Sequence, residues 1–446
     1  MWHIRVACVG AFLLAPCLCL GQEHQHGFSE KLGAVHFATS CSAEAQKEFD
    51  RAVALLHSFQ FSKAIQGFNL TLKSDASCGI ASWGAALSQW SNPFAAGMKD
   101  KTQLQAGRAS VEQGKATGAK TQRERDYISA VSALYNNFED TPQSSRLISY
   151  REAMSKVAAS YPNDNEAQIF YALAIAAAED LSDKTYAGRL KAGAILEKLF
   201  KEEPNHPGLA HYIIHTYDVP PLAGRALVAA RRYSEIAPDA PHALHMPSHT
   251  FTRTGYWQDS IDTNIAAAAA AKREGQTAEE LHASDYELYA YLQTAQDAAA
   301  LRLLNSLPEI ASRFDPKVVI GGAGGPPVGY FALAAIPARV PLELGDWKRA
   351  AQLVPRETPF LYADAMTWFA QGLGSARIGQ ARPAYEAAAK LRQIKERLQK
   401  AGEKYWALQV EIQEQEVTAW ALLAEGKLAE AQRQMESAAD FEDGTE

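Results

Sequence analysis

Seven of the chain's twelve histidines lie between His206 and His282, and their spacing is what could do chemistry. "PNHPGLAHYIIH" (204–215) and "PDAPHALHMPSH" (238–249) share the pattern P-x-x-P-x-x-x-H-x-x-x-H, 34 residues apart. Pro204, Pro207, His211 and His215 recur as Pro238, Pro241, His245 and His249. Residues four apart stack on one face of a helix, and proline suits a helix's first turn. Each histidine pair therefore belongs on one helix. If the two helices are neighbours, with axes about 8–10 Å apart, imidazoles from both can share a metal ion at bonds of about 2 Å.

His242 stands one turn before His245. His282 falls near the start of the next first helix, with Asp285 three residues on, and His206 at the mouth of the first pair. The expected ligands are His211, His215, His245 and His249, with His242 and His282 as further ligands or supporting groups. Asp285 is expected to orient a ligand. His206 and Arg253 are assigned to the surrounding shell or to substrate. Six or seven imidazoles exceed the needs of one tetrahedral ion, and two ions with about three histidines each would use them. That donor set suits copper, with iron or zinc as alternatives. Met246 adds a soft ligand only if it turns inward. Pro247 falls where it either bends the helix or starts it late.

Other readings of these residues are structural. Histidines in a helical array can instead pack against tyrosines, and Tyr212, Tyr217, Tyr286 and Tyr289 are close in sequence. "HYIIH" lacks the glutamate of H-E-x-x-H, which disfavours a zinc protease. Ser248 and His249 are helix neighbours and diverge, so no nucleophile–base pair is read there. Arg253, Arg339 and Glu343 suit buried ion pairs better than a carboxylate clamp. His24 and His26 belong to an N-terminal tail.

The elements that position these groups are helices. Alanine-rich amphipathic segments recur at Ser42–Phe59, Ser62–Lys73, Ala76–Trp90, Asn165–Ala178, Tyr186–Lys201 and Tyr385–Lys400. Gly255, Gly345, Gly379 and Gly426 each open a turn of one kind, and Gly345 and Gly379 are 34 residues apart. That is the turn and the period of a tetratricopeptide (TPR) repeat. "LLHSFQFSKAIQGF" (55–68) reads as the same turn without its glycine. One helix pair cannot bury its apolar face, whereas stacked pairs share a core. The expected fold is an all-α, TPR-like solenoid, with N-terminal repeats over 41–160, central repeats carrying the histidines over 161–310, and C-terminal repeats over 311–446. "VVIGGAGGPP" (318–327) lacks the Gly-Lys-Ser/Thr of a phosphate loop and is expected to be a flexible interhelical loop.

A net charge of -7 over 446 residues, with no basic stripe, argues against nucleic acid as a main partner. Arg5, the apolar run Val6–Leu20 and small Gly21 have the layout of a secretory leader, over 1–21, followed by a tail over 22–40. The run is shorter than a spanning helix needs, and acylation at Cys17 or Cys19 fits less well. Only Cys41 and Cys78 then remain. In an oxidising compartment, periplasmic or secreted, they are expected to form a disulfide, the alternative being two buried thiols.

Several segments resemble a family of exported bacterial TPR proteins: "HFATSCSAEAQKEFDRAVALLHSF", "CGIASWGAALSQWSNP", "HPGLAHYIIHTYD", "HALHMPSHTFTRTGYW", "HASDYELYAYLQ" and "IPARVPLELGDW". The likeness covers most of the chain from His36 on, and H-x-L-H-M-P-S-H is its most specific mark. It implies the fold and export but fixes no activity. Such proteins continue past "AADFEDGTE", which leads us to expect a truncated last repeat. The functional expectation is a mono- or dinuclear metal site in the solenoid's groove, with oxidoreductase activity on a small molecule or peptide. The alternatives are a scaffold for a protein or peptide partner, or metal storage and delivery.

Overall fold

The protein is described by a computed structural model covering residues 30–95, 99–180 and 183–445. The expected leader, His24 and His26 lie outside these residues. From Lys31 onward the chain is one compact unit. Among the described residues there are helices and no strands.

The helices run in consecutive packed pairs. These are α1 (Ala43–His57) with α2 (Phe61–Ser74), α3 (Ile80–Trp90) with α4 (Lys101–Thr117), and α5 (Gln122–Ser132) with α6 (Gln143–Ser160). Next come α7 (Asn165–Ala177) with α8 (Ala187–Glu202), and α9 (Pro207–Thr216) with α10 (Leu227–Ile236). The following first helix is split into α11 (Pro241–His245) and α12 (Pro247–Thr254), and pairs with α13 (Trp257–Arg273). Four more pairs complete the array: α14 (Thr277–Gln293) with α15 (Asp297–Ser312), α16 (Pro326–Glu343) with α17 (Trp347–Ala351), α18 (Leu361–Arg377) with α19 (Ala381–Lys400), and α20 (Lys404–Ala424) with α21 (Leu428–Asp443). First helices also touch first helices, as α7 touches α9, α9 touches α12, and α11 and α16 touch α14. This is the expected TPR-like α-solenoid.

The turns show why the pairs form. Gly255, Gly345, Gly379 and Gly426 all have φ between 65° and 81°, a left-handed conformation that costs glycine nothing. In the first pair Phe59 holds that position, at φ 54°. A residue with a Cβ is strained there by about 1–2 kcal/mol, so its ring must be held by what surrounds it.

The chain folds back more than nearest-neighbour stacking requires. α1 packs against α9, the Ser62 amide donates to the Gly321 carbonyl (3.0 Å), and Gln276 Nε2 donates to Gln60 Oε1 (2.9 Å). The glycine-rich loop at 318–327 is interhelical but packed, with Ala323 in the core. Residues 31–40 also pack in: the Lys31 amide donates to Asp239 (2.6 Å) and Phe37 is fully buried.

Cys41 and Cys78 are joined in a disulfide that ties the start of α1 to the start of α3. Closing a 37-residue separation removes about 4 kcal/mol of unfolded-state entropy on the chain-entropy account. The double variant Cys41→Ser/Cys78→Ser is expected to lose stability of that order in urea unfolding, and unchanged unfolding would contradict it. No helix among the described residues is long and apolar enough to cross a membrane.

Candidate metal centre

Pro207 and Pro241 start α9 and α11 in the first helical turn, so the two histidine pairs are phased alike. Pro247 opens α12 and leaves Met246 as the joint, with the His249 amide bonded to the Met246 carbonyl (3.1 Å). Met246 itself is buried in the apolar core.

The six central histidines fall into two groups of one design. His211 and His215 of α9 meet His242 of α11, and His245 and His249 meet His282 of α14. In each group one ligand atom per residue lies within 4.8 Å of the others. Each group is an i, i+4 pair plus one histidine from the next first helix. The groups abut: ring centroids are 6.0 Å apart for His215–His249 and 5.9 Å for His242–His245. Within groups the distances run from 4.4 Å (His245–His282) to 6.2 Å (His215–His242).

Three of these rings are held by their Nδ1 atoms. His211 Nδ1 donates to the His57 backbone carbonyl (2.6 Å), His245 Nδ1 to Asn264 Oδ1 (2.7 Å), and His249 Nδ1 to Asp218 Oδ2 (2.8 Å). Asn264 cannot be turned round, because its Nδ2 donates to the Ser260 carbonyl (2.7 Å). With Nδ1 carrying the proton, Nε2 presents its lone pair, as in metal-bound histidines oriented by an outer acceptor. Burial holds His211, His215 and His245 well below the usual imidazole range, and pushes His282 down to about 3. Neutral rings are the ligand form. His211 Nε2, His215 Nε2 and both nitrogens of His242 are buried with no hydrogen-bond partner, although His242 Nδ1 comes within 3.5 Å of Glu279 Oε2. Each such orphan costs about 1–3 kcal/mol.

The consequence is sharpest between His245 and His249. Their Nε2 atoms face each other at 3.1 Å while both Nδ1 protons are committed elsewhere. Two lone pairs at that distance need a cation between them, whether a proton or a metal ion. Ligands of one four-coordinate ion sit about 3.3 Å apart, given bonds of about 2 Å.

Aromatic rings close the first group. Phe94 stacks on His215 (4.3 Å, 17°), and the strained Phe59 lies against His211, His215 and His242 at 4.3, 5.6 and 5.6 Å. The second group is more open, since His249 and His282 are partly exposed. Tyr286 stacks on His249 (4.8 Å, 29°).

The remaining expected residues sit elsewhere. Asp285 is engaged by Arg339 (2.8 Å) rather than by a histidine. Asp218 takes the orienting role expected of Asp285, and Arg253 pairs with it (2.8 Å). That pairing, with burial outweighed by His249 and Arg253, keeps the Asp218 carboxyl well below its ordinary range. His206 lies apart from both groups, beside Glu166 and His57. Sequence reasoning missed His57, Phe59, Glu166, Asp218, Asn264 and Glu279.

No family model and no curated protein sequence matches the chain. Among solved structures it resembles human IFIT1, solved as a dimer with m7Gppp-AAAA, at 11% identity over 90% of this chain and 96% of that one, with a TM-score of 0.37. It also resembles the TPR domain of P58(IPK), at 13% identity over 90% and 96% with a TM-score of 0.24. A third likeness is to the APC/C hetero-tetramer Cut9–Hcn1, at 14% over 91% and 78% with a TM-score of 0.33.

Proposed function

We propose that this chain is an exported TPR-like protein whose six clustered histidines hold two metal ions and carry out oxidative chemistry on a small molecule or peptide. Copper is favoured, since imidazole-only donor sets suit it, with iron or zinc as alternatives. The observation that carries the reading is the His245–His249 pair, with Nε2 atoms 3.1 Å apart and both Nδ1 protons already donated. The buried, unpartnered nitrogens of His211, His215 and His242 support it in the adjoining group. The Cys41–Cys78 disulfide, together with the leader pattern, supports export.

Copper, if held by these histidines, would supply one-electron redox chemistry. The chain's own residues do the rest. His57, Asn264 and Asp218 fix the rings of His211, His245 and His249. Phe59 and Phe94 keep water from the first group. The partly exposed His249 and His282 make the second group the side that substrate can reach.

Elemental analysis of the purified protein tests the reading. About two copper ions per chain are expected, and oxygen uptake with a reducing substrate separates catalysis from storage. Protein that stays metal-free in copper, zinc and iron salts would leave the scaffold reading, which the helical-repeat architecture also fits. Asp218→Asn keeps the side chain's size but removes the anion behind His249. It is expected to weaken copper binding about 10–100-fold, measured by competition with a chelator of known affinity. Unaltered affinity would mean that Asp218 orients nothing that binds metal.

A further inference from the structure

A third cluster stands outside the six-histidine centre. His57 at the end of α1, Glu166 on α7 and His206 at the N-cap of α9 converge, again with one ligand atom each within 4.8 Å. His57 Nε2 lies 2.9 Å from Glu166 Oε2, and His206 Nε2 lies 3.0 Å from Glu166 Oε1. All three side chains are buried. The design differs from the central groups, with two imidazoles and one carboxylate in place of three imidazoles.

We propose that His57, Glu166 and His206 form a separate site for a borderline divalent cation, of which zinc is the representative. Two histidines and one glutamate leaving further positions open are a known donor set for zinc and for ferrous iron. Nitrogen–oxygen separations of 2.9 and 3.0 Å need to open by only a few tenths of an ångström to reach the roughly 3.3 Å between ligands of a four-coordinate ion. Among the described residues, Glu166 takes no hydrogen bond from arginine or lysine. A cation replacing the two imidazole protons gives this buried carboxylate its counter-charge.

The surroundings are built for the site. The Tyr212 hydroxyl sits 3.0 Å from His57 Nδ1 and can accept a hydrogen bond from Nδ1–H when Nε2 binds an ion. Phe170 stacks flat on the His57 ring (4.9 Å, 19°). Gly208 makes the room, since a Cβ there would fall 2.3 Å from His57 Nδ1. Access is provided as well: Glu166 and Glu203 both line a polar surface cleft with Arg123, Tyr161, Asp164 and Asn165. The His57 backbone carbonyl holds His211, so this site also bears on the first histidine group.

The test is a zinc titration of the metal-stripped full chain by calorimetry, with bound zinc counted after dialysis. It compares the parent with Glu166→Gln, and repeats the comparison in a His245→Ala/His249→Ala background. Glu166→Gln is expected to remove one equivalent, or weaken it at least 100-fold, in both backgrounds. If the six-histidine reading fails, the parent binds a single zinc that Glu166→Gln abolishes, and this inference stands alone. Equal zinc content with and without Glu166→Gln in either background overturns it. Circular dichroism confirms folding. Should Glu166→Gln not fold, His206→Gln replaces it under the same criterion.

Discussion

Chains carrying His245→Ala and His249→Ala are expected to keep their helical content and lose one of two bound copper ions, with the second held more weakly. The two substitutions remove the facing Nε2 atoms and leave His282 as a single imidazole in that group. Losing an outer-shell partner costs about 10–100-fold in affinity, and losing two of three direct ligands must exceed that. The fold should tolerate the change. His249 is partly exposed, and removing both rings ends the opposition of two lone pairs. The buried Asn264 Oδ1 loses its His245 partner and keeps only the long hydrogen bond from Ser248 Oγ (3.4 Å), at a cost of up to about 1–3 kcal/mol. The matching pair His211→Ala/His215→Ala should strip the other ion at greater structural cost, because both rings are buried among Phe59, Phe94 and Tyr233. Copper content by elemental analysis and helicity by circular dichroism give both readouts. A double variant that still binds two ions would remove His245 and His249 from the centre.

The 34-residue period made the repeat readable, and with it the placing of both histidine pairs on successive first helices. It could not show how far the array folds back on itself. His57 meets His211 across 154 residues and Glu166 across 109, contacts that no nearest-neighbour pattern contains. Phe59 had a readable signal. It stands where sister turns have glycine, and a large side chain at a left-handed position marks a backbone held by its surroundings. Asp218 and Glu279 each stand three residues from a histidine, as Asp285 does. Spacing alone did not rank the three, because the direction of each side chain depends on neighbours from other repeats. Asp285 turns to Arg339 on α16, while Asp218, beyond the end of α9, reaches His249 on α12.

The metal-stripped protein is expected to lose stability steeply as pH falls from 6.5 towards 5. In the unfolded chain every histidine titrates near 6.5. In the folded chain burial holds His211 and His215 well below that, and His282 at about 3. Between the folded and unfolded values the unfolded state binds more protons, so stability rises with pH there. The contribution is complete above 6.5 and is lost on acidification. For His282 the gap at pH 5 is about 1.5 units, or about 2 kcal/mol at 1.36 kcal/mol per unit, reduced to about 1–2 kcal/mol because part of the ring meets solvent. The more deeply buried His211 and His215 act in the same direction. Glu166 and Asp218, whose carboxyls are held low by their imidazole and arginine partners against the opposing effect of burial, keep their stabilising share until the pH nears 4 and lose it below. Histidine-driven loss should therefore come first, and carboxylate-driven loss second. Urea midpoints of chelator-treated protein at pH 7.5, 6.5, 5.5 and 5 would show the first phase, and His282→Gln should flatten it by up to one proton. A flat profile between 6.5 and 5 would mean that these rings find proton acceptors on acidification. That outcome would undercut the picture of buried imidazoles held in the neutral, ligand-ready form.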